Sequence, residues 1–266
     1  YGAVFVLGDT MPMLKAAMCA AERNIPVCHI HGGDTTGSID NKIRYAISAM
    51  ADWHFPSLPQ HGLHLEAMGY PSERIKVVGA LGIYAMKDAE FIPEKELRAK
   101  LGLSDKPIVI VIQHPVSGER EHGEKMEATL DALSNYRKDY EVLVFYPNGE
   151  AGSESMVMAI QHYLFRMFKN LPYLEFISLL RISRVIVGNS SCGLVEAPLF
   201  GVPCVNIGTR QNGRIGGRNV LNCGYDTLEI KKSIECQLHD GKELSKSPYS
   251  LDIDGPGIIV ETLKEM

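Results

Sequence analysis

At 266 residues, with 45% hydrophobic residues and a formal net charge of -5, the chain has enough apolar side chains for one large or two ordinary domains, which excludes disordered and fibrous classes. No block rich in Lys and Arg offers the footprint of a nucleic-acid binder. The longest apolar runs, such as PIVIVI and RVIVG, fall far short of the ~18 residues that span a bilayer, and no basic-then-apolar leader is present, so a cytoplasmic protein is expected.

Short apolar runs alternate with segments of helical period, the pattern of βαβ units and a parallel sheet. In chain order, the strand AVFVLG leads to a helix over Met11 to Arg23, IPVCHI to a helix over Asp40 to Ala51, and DWHFPS to one over Leu58 to Met68. IKVVGA is read as a fourth strand, followed by a charged helix over Pro93 to Lys100 that marks a joint between domains. PIVIVIQ precedes a helix over Glu121 to Tyr136, and EVLVFYP one over Ser153 to Phe168; Tyr173 to Arg181 is helical. RVIVGN then leads into a helix over Cys192 to Phe200, PCVNIG follows, and DGPGIIVETLKEM opens a last helix.

This order predicts an α/β chain with two Rossmann-like parallel-sheet domains facing across a cleft. Residues 1–83 form the remainder of an N-terminal domain, on which the helix over 255–266 packs back, and 84–254 form a C-terminal nucleotide-binding domain. The chain begins without Met, inside a strand, so the N-terminal domain is expected to lack its first strands. The six cysteines, Cys19, Cys28, Cys192, Cys204, Cys223 and Cys236, show no zinc spacing and read as small apolar side chains. No metal site is expected.

Polar clusters follow the strands, where open α/β sheets place ligands. Asp9 ends the first strand, and HIHGGDTTGSIDN, with His31 and Asp40, follows the second. Asp40 can start a helix and pair with Arg44 one turn on, a plain ion pair. That pair leaves the glycines and histidines of the segment unexplained, and two carboxylates beside an imidazole supply an acid and a base. Gln113 and His114 end PIVIVIQH, His114 reading as a strand-end residue before Pro115 or as a cation beside a leaving phosphate. Asn148 and Glu150 follow EVLVFYP. In GNSSCGLVEAPLFG, Ser190 or Ser191 caps a helix whose first turn is an ordinary N-cap or a diphosphate site, and Glu196 suits the vicinal hydroxyls of a ribose. Arg210 stands in a glycine-rich loop with Arg214 and Arg218, either a solvated loop or a clamp for phosphate.

With LGDT, HIHGGDTTGSIDNKIRYAI, QHPV, FYPNGEAGS, GNSSCGLVEAPLFGVPCVNIGTRQNGR and NVL assembled, the chain resembles the UDP-N-acetylglucosamine 2-epimerases. The branch it resembles is the hydrolysing one, which releases UDP and N-acetylmannosamine for sialic-acid and related pathways. The resemblance implies the glycosyltransferase-B arrangement. UDP is then bound at Asn148, Asn189, Ser190, Ser191, Cys192, Gly193, Glu196 and Arg210, while Asp9, His31, Asp40, Arg44 and His114 are catalytic. Many members carry glutamate where this chain has His31, and an Asp-Asp pair where it has Asp40 and Asn41. No metal or redox cofactor is needed, the partner is a nucleotide sugar, and a homo-oligomer, dimer or tetramer, is the expected assembly. A non-hydrolysing epimerase, a retaining glycosyltransferase of the same architecture and a non-catalytic nucleotide-sugar binding module stay open as alternatives.

Overall fold

The computed structural model describes residues 2–240, 247–249 and 252–266. They divide into two compact units, one of Tyr1–Asp88, Asn212–Arg214 and Tyr249–Met266, the other of Ala89–Gln211 and Ile215–Pro248.

The first unit holds a three-stranded parallel sheet of β1 (Val4–Leu7), β2 (Val27–Ile30) and β3 (Trp53–Phe55), in that order. Its registers pair Val4 with Val27 and Cys28 with Trp53. The period of two sorts the side chains onto two faces. Val6 and Val27 pack with Ala17 and Ala20 of α1 (Met11–Glu22) and Ile47 of α2 (Asp40–Met50). Cys28 and Phe55 pack with Val78, Leu81 of α4 (Leu81–Lys87) and Ile258 and Ile259 of α10 (Gly255–Glu265), while α3 (Pro59–Ala67) follows β3. The edge strand β1 leaves Phe5 39% and Leu7 52% exposed.

The second unit holds six parallel strands: β4 (Ile108–Ile112), β5 (Glu141–Phe145), β6 (Arg166–Phe168), β7 (Val185–Gly188), β8 (Cys204–Ile207) and β9 (Val220–Cys223). They lie in the order β6-β5-β4-β7-β8-β9. This is the order of the doubly wound dinucleotide-binding sheet, whose direction of winding reverses between β4 and β7. Every residue of β4 is buried, as a central parallel strand covered on both faces requires. Val109 and Val111 face Met126 and Leu130 of α6 (His122–Leu133) and Met156 of α7 (Ser153–His162). Ile108 and Ile110 face Leu97 of α5 (Glu94–Leu101) and Leu179 of α8 (Tyr173–Ile182).

Three expectations are corrected, and further elements are added. IKVVGA forms no strand beyond a single bridge from Ile75 to His54, although Lys76 N–H donates to the His54 carbonyl at 2.8 Å and Val78 N–H to that of Pro56 at 3.0 Å. The helix read over Ser153 to Phe168 stops at His162 because Tyr163 turns extended, and the chain then runs beside β5 as β6. The helix read over Cys192 to Phe200 is two 3-10 turns, Ser191–Gly193 and Ala197–Phe200, since Pro198 has no N–H to continue an α-helix. Finally, β9 and α9 (Thr227–Asp240) were not foreseen, although the i, i+4 pair Ile230 and Ile234, both buried, marks the core face of α9.

Candidate functional site

In the second unit the carboxyl ends of β4 and β7 meet at the point where winding reverses. Gly188 ends β7, and Asn189 N–H donates to the Ile112 carbonyl at 3.0 Å, carrying the pairing one residue past the strand. Fully buried there, the Asn189 side chain grips the backbone of His114: the His114 N–H donates to its Oδ1 at 2.7 Å, and its Nδ2 donates to the His114 carbonyl at 2.8 Å. The sequence placed Asn189 among the UDP-binding residues; its side chain serves as the brace beneath His114. The Asn148 backbone N–H donates to His114 Nδ1 at 3.0 Å. An amide can only donate, so Nδ1 is the acceptor and Nε2 carries the hydrogen of a neutral ring. The cationic His114 considered from the sequence is therefore replaced by a neutral, oriented N–H donor.

The loop after β8 closes the same region. Gln211 Nε2 donates to the Asn189 carbonyl at 2.8 Å, and Arg210 Nη2 lies 3.7 Å from Glu150 Oε1. Glu150 also accepts from Asn148 Nδ2, so one carboxylate links the loops after β5 and β8. In the serine block, Ser190 Oγ accepts from the Cys192 N–H at 3.5 Å and from its thiol at 3.1 Å. Ser190 thus caps a 3-10 turn, and the dipole of a full α-helix expected behind Ser191 is absent. Cys192 and Gly193 are buried in that turn, and burial, followed by the charge of Glu196, pushes the Cys192 thiol up to about 12. It is inert as a nucleophile. Glu196 begins the second turn, half-buried.

A second polar cluster lies within the first unit. Arg44, 1% exposed, donates to Asp9 Oδ2 and, at 3.2 Å, to the Asp34 carbonyl. Its salt bridge runs to Asp9, 35 residues away. The Asp34 carboxylate is a hub: Arg214 Nη2 lies 2.9 Å from Oδ2 and His61 Nε2 3.3 Å from Oδ1, with Ser57 Oγ 3.3 Å behind His61 Nδ1. Burial raises the pKa of Asp9; Arg44 opposes this, and the neighbouring charge of Asp40 adds to it. His31 sits among Asp34, Arg214 and His61 with a left-handed backbone, φ 63°, and burial lowers its pKa to about 4. Its ring is neutral at pH 7. His61 did not stand out in the sequence, because a histidine inside a helix carries no local sign of a partner.

His29 is tied into the fold through both ring nitrogens. His29 Nε2 donates to the Gly8 carbonyl at 2.8 Å, which leaves Nδ1 to accept from Ser48 Oγ at 3.0 Å. Burial lowers His29, His31 and His54 to about 4. Each takes up a proton on unfolding between the unfolded value near 6.5 and about 4, so stability is full above pH 6.5 and falls as the pH drops through that window. The loss is at most roughly 3 kcal/mol per histidine, partly offset by Asp9, whose raised pKa acts in the opposite sense. Urea midpoints followed by Trp53 fluorescence are expected to fall steeply from pH 6.5 to 4.5, with a shallower slope in His29→Gln. A flat profile would contradict the burial of neutral rings.

A profile of the UDP-N-acetylglucosamine 2-epimerases matches residues 1–254. The chain belongs to that family. A UDP-N-acetylglucosamine 2-epimerase of Neisseria meningitidis serogroup B is 30% identical over 242 residues, covering 90% of this chain and 64% of that protein. A Legionella pneumophila protein named UDP-N,N'-diacetylbacillosamine 2-epimerase (hydrolyzing) is 34% identical over 232 residues, 85% of this chain and 61% of that one. The chain thus spans a little over 60% of the length of these curated relatives. The fold matches that of a Neisseria meningitidis UDP-GlcNAc 2-epimerase crystallised with UDP-GlcNAc, with a TM-score of 0.80 at 22% identity over 100% of this chain and 76% of the other. This epimerase-family chain is therefore α/β with parallel sheets of the glycosyltransferase-B class. Among its described residues no helix is long and apolar enough to cross a membrane.

Proposed function

We propose that this epimerase-family chain carries the nucleotide site and the proton-transfer groups of a hydrolysing 2-epimerase. Its substrate is UDP-N-acetylglucosamine or a related nucleotide 2-acetamido sugar, and its products are UDP and the free 2-epimeric sugar, N-acetylmannosamine in the simplest case. The observation that carries this reading is the fixed Nε2–H donor of His114 beside the Arg210 loop, at the reversal point of a dinucleotide-type sheet. A neutral donor and a guanidinium suit a diphosphate on which charge builds as the sugar leaves. Ser191 and Glu196 are assigned to the nucleotide, Glu196 to the ribose hydroxyls.

The chemistry is elimination followed by hydration. A base takes the C2 proton as the C1–O bond to UDP breaks, the electron pair leaves with the diphosphate, and a glycal forms. Water then adds its hydroxyl to C1 while C2 is protonated from the opposite face. Asp9, ion-paired with Arg44, Asp40 and neutral His31 are assigned to move these protons. The hydrolysing branch is favoured by the 34% identity to the Legionella protein named a hydrolyzing 2-epimerase. We place the reaction in the cytoplasm, in a homo-oligomer.

Incubation with UDP-N-acetylglucosamine, and separately with its diacetamido analogue, in deuterated water tests this by NMR. The expected products are UDP and the 2-epimeric free sugar with deuterium at C2. UDP-N-acetylmannosamine as the stable product would move the protein to the non-hydrolysing branch, and UDP release only with an acceptor sugar would make it a glycosyltransferase. Binding without turnover would leave a nucleotide-sugar binding module.

A further inference from the structure

Away from the groups assigned to substrate, the second unit carries one more polar network, centred on a half-buried carboxylate. Glu119, in the loop after β4, accepts at Oε2 from Lys125 Nζ of α6 at 2.7 Å and from the Tyr225 hydroxyl at 2.9 Å, and at Oε1 from the Thr209 hydroxyl. The Lys125 ammonium also lies over the Tyr225 ring, 4.6 Å from its centroid. Three loops, those after β4, β8 and β9, thus converge on one carboxylate, across separations of 90 and 106 residues. The backbone of Gly208 rests against the Tyr225 hydroxyl so closely that a Cβ would occupy the same space. On the far side Gln211 is tied to the Asn189 carbonyl. Arg210 is the residue between these two anchors.

We propose that Glu119 is a positioning residue of the nucleotide site: by gathering Thr209, Tyr225 and Lys125 it fixes the loop that aims Arg210 at the diphosphate. The proposal rests on the reading of this unit as a UDP site. Glu119 needs no contact with the ligand; its effect passes through the direction of one guanidinium, whose fork binds phosphate only when aimed. The same donors, against the opposing effect of burial, hold the Glu119 carboxyl below its usual range, so it stays an acceptor at neutral pH.

Calorimetric titration of UDP into the whole chain, with a double-mutant cycle between Tyr225→Phe and Arg210→Ala, is the test. Tyr225→Phe removes one hydrogen bond of the clamp and is expected to weaken UDP binding about 3- to 10-fold, with no further weakening once Arg210 is alanine. Thr209→Ser, which keeps the hydroxyl, is expected to bind as the parent does, and Thr209→Val to follow Tyr225→Phe. Additive effects in the cycle, or unchanged binding by Tyr225→Phe and Thr209→Val, would overturn the proposal while leaving the UDP site standing. No UDP binding by the unmutated chain would overturn the site and the proposal together.

Discussion

Arg44→Met is expected to destabilise the first unit by about 3–5 kcal/mol, the cost of removing one partner of a buried ion pair. Arg44 is 1% exposed and is held by Asp9 and the Asp34 carbonyl, with the Asp40 and Asp34 charges acting on the same carboxylate. Without the guanidinium, Asp9 is left beside two other carboxylates with its main compensating charge gone. Set against the roughly 5–15 kcal/mol that holds an ordinary domain together, such a loss brings the unit close to unfolding at room temperature. Chemical denaturation read from Trp53, the only tryptophan, measures it. Asp9→Asn in the same background is expected to restore part of the loss by removing the orphaned charge; a loss below about 1 kcal/mol in Arg44→Met would show that the pair is solvated like a surface bridge.

Gly188→Ala is the second large effect, and it concerns the other unit. Gly188 has φ 128° and sits opposite Ile112 in the β4–β7 register, where an added Cβ would overlap the Ile112 carbonyl oxygen. The backbone penalty alone is about 1–3 kcal/mol, and the clash forces apart the two strands whose ends carry His114 and Asn189. A total above about 4 kcal/mol, or failure of the second unit to fold, is expected. Hydrogen exchange of the Asn189 amide reads it directly, because that N–H donates to the Ile112 carbonyl. Gly8→Ala is the control: it shares a positive φ, 74°, but its Cβ would meet nothing within 4 Å. Equal costs at the two positions would show that the close approach of β4 and β7 does not govern the loss.

How legible each feature was depended on how local its cause is. PIVIVI announced β4 because a central parallel strand is apolar on both faces, and the polar residues that end such strands fell where the sheet order puts a ligand. The 3-10 turns in place of a helix after Ser190 were signalled by Pro198, which outweighs the helical spacing around it. β6 and β9 are short edge strands, and the exposed residues of β6, Arg166 and Met167, leave no alternation to read. What the residues could not show is partnership over distance. Asp40 and Arg44 look like a pair because they are four apart; nothing in that spacing shows that the guanidinium reaches 35 residues back to Asp9. Asp34, His61 and Glu119 owe their places to partners brought from other strands, and His114 owes its tautomer to the backbone N–H of Asn148.

Where the diphosphate binds is tested most directly by a crystal structure of the chain soaked with UDP. The expected result places diphosphate oxygens within hydrogen-bonding distance of His114 Nε2 and the Arg210 guanidinium, with the ribose hydroxyls on Glu196. UDP bound in the first unit against Arg214 and Asp34, with the carboxyl ends of β4 and β7 empty, would contradict it.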